Sequence, residues 1–496
     1  TTGSSNSAFG SSSLRYNAIG ANNSAFGSNA LYSNTTDSNS AFGYKTLYSN
    51  TIGTKNTAVG EVALYNNTTG SYNSAFGHRS LFTNISGRYN SAFGMYSMYS
   101  NTSGVENVGI GVNALYSNKT GNYNVSIGVS SLYYNVSGNN NTAVGISALE
   151  SNTTNNNSAF GYKALFTNTT GYNNTAVGYH TLTLNTVGYN NVALGLQSLY
   201  SNISGARNNA VGVNALHLNT IGSHNNAFGY YALRNNTIGT ANSAFGHQSL
   251  QGNTTGVNNS AFGYQALYHN TTGVSNSAFG YCSLKTNTIG NGNSAFGRGS
   301  LQSNTTGSNN TAFGMYALIN NTTGISNSAF GRSSLLFNTF GNYNTAFGQQ
   351  SLQANTTGSN NTAIGTYSLY NNTTNNNSAF GYKALFANTT GAFNVAVAYI
   401  SLQSNTRGSY NTAVGYNSLS ANTFGNYNSA FGYKALNSNT TGNRNSAFGY
   451  SSLRLNTIGV RNTAFGYAAM LYNTTGNYNV AFGAMASYNN AIGTAN

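Results

Sequence analysis

Histidine, cysteine and carboxylate side chains carry most enzyme chemistry and hold most metal ions, and this sequence has few of them. Its 496 residues include six histidines, one cysteine and four acidic residues. The histidines nearest to one another in register lie many copies apart in the repeat described below, so they form neither a metal cage nor an acid–base pair. Four carboxylates leave almost no scope for paired-carboxylate chemistry. These residues are His78, His180, His217, His224, His247, His269, Cys282, Asp37, Glu61, Glu106 and Glu150.

The glycines and the single cysteine do not alter this prediction. The chain has 59 glycines, but they lack the strand–loop–helix context that a phosphate-binding loop requires. Cys282 has no partner for an internal disulfide, so stability has to come from noncovalent contacts. We therefore predict that the chain is not an enzyme and binds no cofactor or metal.

A seventeen-residue repeat fills the chain. The copy from Asn39 to Lys55 reads NSAFGYKTLYSNTIGTK, and its leading asparagine recurs 29 times between Asn6 and Asn479. Counting that asparagine as position 1, position 3 is Ala in 27 copies, position 5 is Gly in 28, position 9 is Leu in 26 and position 12 is Asn in all 29. A fixed period this short predicts a solenoid.

The length and composition of the repeat favour strands over helices. Two helices with their turns need more than ~30 residues, and Gly, Asn, Ser and Thr are poor in helix interiors. Seventeen residues at ~3.3 Å each give a path of roughly 56 Å, enough for two or three short strands around a narrow core. The sequence thus predicts an all-β fold, a β-solenoid or β-roll of about 29 coils with one repeat in each coil.

The repeat runs without a linker or a shift in composition, so we expect one continuous domain over residues 1–496. Stacked at ~4.8 Å, the coils would form a rod on the order of 140 Å long. The sequence starts without Met and in the middle of a repeat. We therefore expect it to be a segment of a longer protein.

Two bulky apolar positions recur steadily and are predicted to carry the core. In the Asn39 copy they are Phe42 at position 4 and Leu47 at position 9. Adjacent residues in a strand face opposite ways, so Ala41 and Phe42 cannot both point inward. Either the chain turns there, or one of the two positions faces a neighbouring chain.

Glycines and asparagines are predicted to form the corners of the coil. Gly43 and Gly53, at positions 5 and 15, mark places where a left-handed backbone or close packing excludes a side chain. Asn50 and Asn56, at positions 12 and 1, should form ladders in which stacked amides hydrogen-bond from coil to coil.

Three copies have sixteen residues, and all three lack the glycine at position 15. They read NTTDS from Asn34, and NTTNN from Asn152 and from Asn372. Asp and Asn tolerate the left-handed backbone best after Gly, so we expect Asp37, Asn155 and Asn375 in turns.

Charge and composition limit the partners. Charged residues make up 4% of the chain, there is no proline, and the net charge of +14 is spread thinly. Residues held at fixed positions argue against disorder, and the absence of proline fits continuous ladders. Sparse charge predicts no binding to nucleic acid, and the lack of a long apolar run predicts no membrane insertion.

Three recurrent side chains could bind a partner. Tyrosine rows could stack on sugars or on one another. Thr at position 13 could order ice, although its neighbour at position 14 varies. The Asn-Thr-Thr sequence is an N-glycosylation signal, but the turn could equally require those residues. Candidate glycosylation sites are Asn34, Asn67, Asn168, Asn270 and Asn473.

The phrases NSAFG, NTAVG (Asn56 to Gly60) and NTAIG (Asn361 to Gly365), followed by Y-x-A/S-L, resemble repeats in the heads of trimeric autotransporter adhesins. They resemble more closely the NTAxGYxAL…NTTG arrays of phage or virus tail fibres and bacterial surface fibres. The resemblance covers essentially the whole chain. It implies a left-handed β-roll with three chains around a threefold axis, in which position 3 or 4 faces the partner chain. Adhesin-head repeats are shorter than these.

Repeat and resemblance together predict an extracellular, non-enzymatic fibre, the rigid shaft of a cell-surface or virion fibre. A self-assembling extracellular filament is the alternative, and an array that binds surface glycans or ice is a further one. The predicted partner is the chain itself, as a homotrimer or in an end-to-end filament, with surface glycans as an additional candidate. Neither nucleic acid nor membrane is expected.

Overall fold

The computed structural model describes residues 3–494, and these fold as a parallel β-solenoid without a helix. Each repeat contributes one three-residue strand at positions 2 to 4, followed by a compact turn and a bend. The predicted all-β solenoid with its seventeen-residue repeat is confirmed. The strands are β1 (Ser7–Phe9), β2 (Ser24–Phe26), β3 (Ser40–Phe42), β4 (Thr57–Val59), β5 (Ser74–Phe76), β6 (Ser91–Phe93), β7 (Val108–Ile110), β8 (Val125–Ile127), β9 (Thr142–Val144), β10 (Ser158–Phe160), β11 (Thr175–Val177), β12 (Val192–Leu194), β13 (Asn209–Val211), β14 (Asn226–Phe228), β15 (Ser243–Phe245), β16 (Ser260–Phe262), β17 (Ser277–Phe279), β18 (Ser294–Phe296), β19 (Thr311–Phe313), β20 (Ser328–Phe330), β21 (Thr345–Phe347), β22 (Thr362–Ile364), β23 (Ser378–Phe380), β24 (Val395–Val397), β25 (Thr412–Val414), β26 (Ser429–Phe431), β27 (Ser446–Phe448), β28 (Thr463–Phe465) and β29 (Val480–Phe482).

The chain divides into two compact units, the first ending at Phe245 and the second beginning at Gly246. Within each unit every strand pairs in parallel with the strand of the next repeat. In the first unit, for example, Ala41 lies opposite Ala58, and in the second Ala278 lies opposite Ala295. Identical positions therefore stack on one another, and each side chain of the repeat forms a row along its unit.

The interior of the coil is lined by positions 1, 3, 8, 9 and 12. Ala41, Thr46 and Leu47 are fully buried. The prediction that Phe42 packs in the core was wrong, because its side chain is 39% exposed. Strand residues alternate in direction, so the buried Ala41 places Phe42 on the outer face.

One pair of substitutions shows how tightly this interior is packed. Met98 replaces Leu at position 9, and the next coil has Gly109 in place of Ala at position 3. A Cβ at Gly109 would lie 2.9 Å from Met98 Cγ and 2.7 Å from Ser97 Oγ. Protein interiors leave no room for such an overlap, so the longer methionine is accommodated by the loss of the neighbouring methyl group.

Two buried rows of asparagine connect the coils. Asn50 Nδ2 donates to Asn34 Oδ1 of the preceding coil at 2.7 Å and to Gly53 O of its own coil at 2.9 Å. Asn56 Nδ2 donates to Asn39 Oδ1 at 3.2 Å and to Gly70 O at 2.8 Å. The position-15 carbonyl thus accepts a hydrogen bond from both asparagine side chains of its coil, at positions 1 and 12. Burial keeps water from competing for these hydrogen bonds.

The two glycine positions are required for different reasons. Gly43 has a φ of 138°, which L-residues rarely adopt, and a Cβ there would lie 2.6 Å from Gly60 O. Gly53 has no positive φ. A Cβ on Gly53 would instead strike the Gly70 carbonyl oxygen and lie 2.5 Å from Asn50 Oδ1. Position 5 therefore needs glycine for its backbone conformation and position 15 for close packing.

Non-glycine residues also adopt the left-handed conformation in every coil. In the Asn39 copy the φ angles of Lys45, Leu47 and Lys55 are 52°, 53° and 57°. This conformation costs roughly 1–2 kcal/mol per L-residue. At Leu47 the burial of its own side chain offsets this cost, because full burial of a leucine contributes ~1.5–3 kcal/mol.

The sixteen-residue coils close the bend with a threonine in place of the missing glycine. Thr36 O accepts both asparagine amides, from Asn23 and Asn34, at 2.8 Å each. Asp37 lies in the bend, as predicted, and its Oδ1 accepts the Ala21 N–H at 2.7 Å. Asn155 and Asn375 accept the equivalent N–H groups. The left-handed residue is the next one in each copy, at Ser38, Asn156 and Asn376.

We expect Ala398→Gly to stabilise the second unit. Ala398 stands where all other repeats have glycine and adopts a φ of 109°. Relief of that strain should increase the free energy of local unfolding by about 1–2 kcal/mol. Hydrogen exchange of the coils around residue 398 measures this. Ala421→Gly is the control, since Ala421 has no positive φ and its replacement should give no gain. Equal protection in parent and A398G would contradict the prediction.

Candidate interaction surfaces

An uninterrupted apolar row covers the outer face of the strands. Position 4 is Phe, Val, Ile or Leu in every repeat. Phe26 and Phe42 stack with ring centroids 5.0 Å apart, and Phe279 and Phe296 with centroids 4.7 Å apart. We call the residues at position 4 of all repeats the position-4 row. Because this row forms the outer face of each strand stack, every coil of each unit contributes one apolar residue to it.

The strand residues that flank the position-4 row are uncharged. Position 2, on the same face, is Ser, Thr, Val or Asn. No lysine, arginine, aspartate or glutamate occupies positions 1 to 5 of any repeat, so all charges of the chain lie elsewhere on the coil. The face can therefore meet an apolar surface without burying a charge, which would be costly.

The five candidate glycosylation sites lie in the buried position-12 row. Asn67 Nδ2 donates to Asn50 Oδ1 at 2.8 Å and to Gly70 O at 2.9 Å. Asn34, Asn168, Asn270 and Asn473 are likewise fully buried and donate to a carbonyl of their own coil. A glycan on any of these nitrogens would displace a buried hydrogen bond and would have no path to solvent. Their evident role is to hold the bend.

The residues predicted as a structural ladder fall into three environments. Asn50 and Asn56 lie in the buried asparagine rows, and Leu47 lies in the core. Gly43 and Gly53 form the two corners. Phe42 is the exception, since it lies in the position-4 row on the outside.

Threonines at position 13 use their hydroxyl groups within the protein. Thr271 Oγ1 donates to Thr288 O of the next coil at 3.0 Å, and Thr271 N donates to the same oxygen at 2.9 Å. The N–H groups of Thr272 and Gly273 also point to it, at 3.3 and 3.4 Å. This row therefore holds few free hydroxyl donors that could order water.

Aromatic residues form long stacks on other faces of the coil. A seven-ring stack at position 10 has centroid separations from 4.8 to 5.3 Å and consists of Tyr32, Tyr48, Tyr65, Phe82, Tyr99, Tyr116 and Tyr133. A six-ring stack at position 6 of the second unit has separations from 4.9 to 5.3 Å and consists of Tyr382, Tyr399, Tyr416, Tyr433, Tyr450 and Tyr467. Neighbouring rings cover one another's faces, so a sugar would meet mainly ring edges and hydroxyl groups.

The titratable groups remain scattered in the fold. Over residues 3–494, no three His, Cys, Asp or Glu side chains come together in a way that could hold a metal ion. Burial, with a smaller effect from Lys163, lowers the pKa of His180 below its usual value. His78 Nδ1 lies 3.4 Å from Glu61 Oε2 on the preceding coil, at the surface. These are contacts of single residues and not a constellation for catalysis.

Sequence reasoning missed one recurrent element of the core. Position 8 lies buried beside Leu at position 9, as at Thr46, Ser80 and Ala63. Its identity varies, but it is Ala, Ser or Thr in every repeat. This restriction to small residues was the signal that could have identified it as an inward position.

No model of a known protein family matches the chain, and no curated protein matches it significantly. Within the described residues, the structure contains no helix long and apolar enough to cross a membrane. The arguments below therefore depend on the geometry of the coil and on its surface rows.

Proposed function

We propose that this chain is a non-enzymatic structural fibre, a shaft exposed on a cell surface or a virion, whose copies associate laterally through the position-4 row. The observation that carries the proposal is that row, which is apolar in every repeat and lies among strand positions that carry no charge. Exposed contiguous apolar surface on this scale is typical of interaction sites.

The area of the row is sufficient for a stable interface. Phe313, Phe380 and Phe465 belong to the more exposed members of the row and leave 40%, 38% and 37% of their surface exposed, while the majority of the row in the second unit is half-buried. With ~200 Å² for each phenylalanine, the row of one unit leaves on the order of 1,000 Å² open. Stable protein interfaces bury about 800 Å² per partner.

A second copy of the same chain is the occupant that fits best. Copies that each carry +14 repel one another wherever their charged residues meet. The uncharged strand face is where two copies can approach closely. Each unit also repeats the same contacts along its length, so that weak contacts of one coil add up over many coils. Three copies around one axis is the arrangement that the resemblance to adhesin heads favours.

The solution mass tests the proposal, measured by light scattering at several protein concentrations. We expect a constant mass of three chains. A double variant, Phe313→Glu and Phe380→Glu, should reduce the mass to one chain while its circular dichroism stays unchanged, because two buried charges per copy would oppose the contact.

Ile289→Glu is the matched control. Ile289 is 51% exposed but lies at position 14, away from the row. It should keep the parental mass. A single-chain mass of the parent at every concentration would contradict lateral association, and a double variant with the parental mass would place the contact elsewhere.

A further inference from the structure

The position-6 tyrosine stack of the second unit is the longest run of tyrosines in consecutive coils. Between Tyr382 and Tyr467 the six side chains are between 37% and 53% exposed. The position-10 stack is more covered, and Phe82, which lacks a phenol group, interrupts it. The position-6 stack therefore offers an unbroken series of neighbouring phenols open to solvent.

The spacing of this stack suits carbon–carbon coupling. Two aromatic rings joined by a single bond of ~1.5 Å have their centres about 4.3 Å apart. In the stack, Tyr433 and Tyr450 have centroids 4.9 Å apart, with planes 10° apart. Rotation of both rings about χ2, with an approach of less than ~1 Å, brings their Cε atoms together, and χ2 of tyrosine is a soft torsion. The stacking of identical positions already holds the two rings within this range, and a change in χ1 can splay the two side chains for the bond.

We propose that this stack is a site of oxidative cross-linking, where neighbouring coils are joined by dityrosine bonds. Hydrogen peroxide with a haem peroxidase is the class of oxidant required. Each of two phenols loses one electron and one proton, and the two radicals form a Cε–Cε bond. The hydrogens on the coupled carbons then move to the oxygens, which restores both phenols. Hydrogen peroxide takes up the two electrons and two protons and leaves as two water molecules.

The consequence would be a covalent link between coils in a chain that has no disulfide. Cys282 is the sole cysteine and is buried. A link between Tyr433 and Tyr450 would tie together residues seventeen positions apart, and cross-links of this kind stabilise by restricting the unfolded chain. This inference does not depend on the proposed function, because it rests on the ring geometry alone.

Peptide mapping after oxidation tests the proposal on the full chain. Dilute protein is treated with hydrogen peroxide and horseradish peroxidase, then unfolded and digested with trypsin. A bond between Tyr433 and Tyr450 would join peptide 408–434 to peptide 445–454, in which Tyr450 is the one tyrosine. We expect dityrosine fluorescence and a joined peptide lighter by two hydrogens than the sum of its parts. Tyr450→Phe should abolish that peptide while keeping the stacked ring.

Tyr343 is the internal control. It is 58% exposed, more than any member of the stack, but the same position is Ser326 in the preceding coil and Asn360 in the next. Because a neighbouring ring acts at an effective concentration of millimolar or more, links within the stack should exceed those of Tyr343 at least about tenfold in dilute protein. Links distributed by exposure alone, with Tyr343 as reactive as Tyr450, would overturn the proposal. So would oxidation of the stack without any Tyr433–Tyr450 bond.

Discussion

Replacing Asn50 with aspartate is expected to destabilise its coil by at least about 3 kcal/mol, although the two side chains have almost the same shape. Asn50 Nδ2 donates to Asn34 Oδ1 and Gly53 O, and Asn50 Oδ1 accepts from Asn67 Nδ2 at 2.8 Å. In aspartate the Nδ2 group is replaced by a carboxylate oxygen, which can only accept, and this oxygen would face Asn34 Oδ1 and Gly53 O. Each unsatisfied buried group costs ~1–3 kcal/mol, and a buried unpaired charge adds to this.

Hydrogen exchange across residues 34–72 measures the effect in N50D, because local opening is defined even where global unfolding is not two-state. Asn140→Asp is the matched control, since Asn140 is exposed at position 17, and it should change protection very little.

The loss in N50D should also shrink on acidification. Burial beside two oxygens should raise the pKa of the introduced carboxyl group above its unfolded value of ~3.9. The protonated form is therefore the better tolerated one, and the variant should be most stable at low pH and lose stability as the pH rises. Parental protection in N50D at neutral pH would contradict the structural role of the ladder.

The second large effect is expected from a single methyl group, in Gly290→Ala. A Cβ on Gly290 would strike the Gly307 carbonyl oxygen and lie 2.5 Å from Asn287 Oδ1. Neither atom can move without breaking the asparagine rows, so overpacking and lost hydrogen bonds together should cost about 3 kcal/mol or more. Urea unfolding followed by circular dichroism, together with exchange of residues 287–310, measures the loss.

Gly299→Ala provides the comparison within the same unit. Unlike Gly290, Gly299 has a positive φ, 65°, and it lies at position 7, where the other repeats carry side chains. The nearest atom to its Cβ would be Tyr316 Cδ1, at 2.9 Å, which belongs to a side chain and not to the backbone. We expect a cost of about 1 kcal/mol for the left-handed backbone. Similar losses in G290A and G299A would contradict the packing argument, because Gly290 has no positive φ that an alanine would strain.

Residues that admit no substitute were the easiest to predict. Asn at position 12 is present in every repeat, and Gly at position 15 is missing only from the three copies whose bend is one residue shorter, so the repeat displays both requirements directly. The same reasoning failed at Phe42, because an apolar row outside the coil varies in the same way as one inside it. Only the direction of the side chain distinguishes the two, and Ala41 determines that direction by taking the inward place.

The conformation of Leu47 lay beyond sequence reasoning for a different reason. Leucine disfavours a positive φ, so no local preference predicts its value of 53°. The conformation follows from stacking, since Leu47 N donates to Ala63 O of the next coil at 3.0 Å. A contact between coils thus overrides the conformational preference of the residue. The same holds at Asp37, which tolerates the left-handed conformation well but does not adopt it, because the adjacent Ser38 does so instead.

The in-register pairing of identical positions also determines how such a protein can change over evolution. Removal of one complete repeat within a unit would place position 1 on position 1 and position 15 on position 15 again, so the new neighbours would make the same types of contact as the old. Recombination between repeats can therefore lengthen or shorten the array by whole coils without redesign of its core. A shift by a single residue would put every later side chain on the wrong row, unless it falls at the bend, where Thr36 shows that one residue can be spared. Length is for this reason the property of the molecule that selection can adjust most freely.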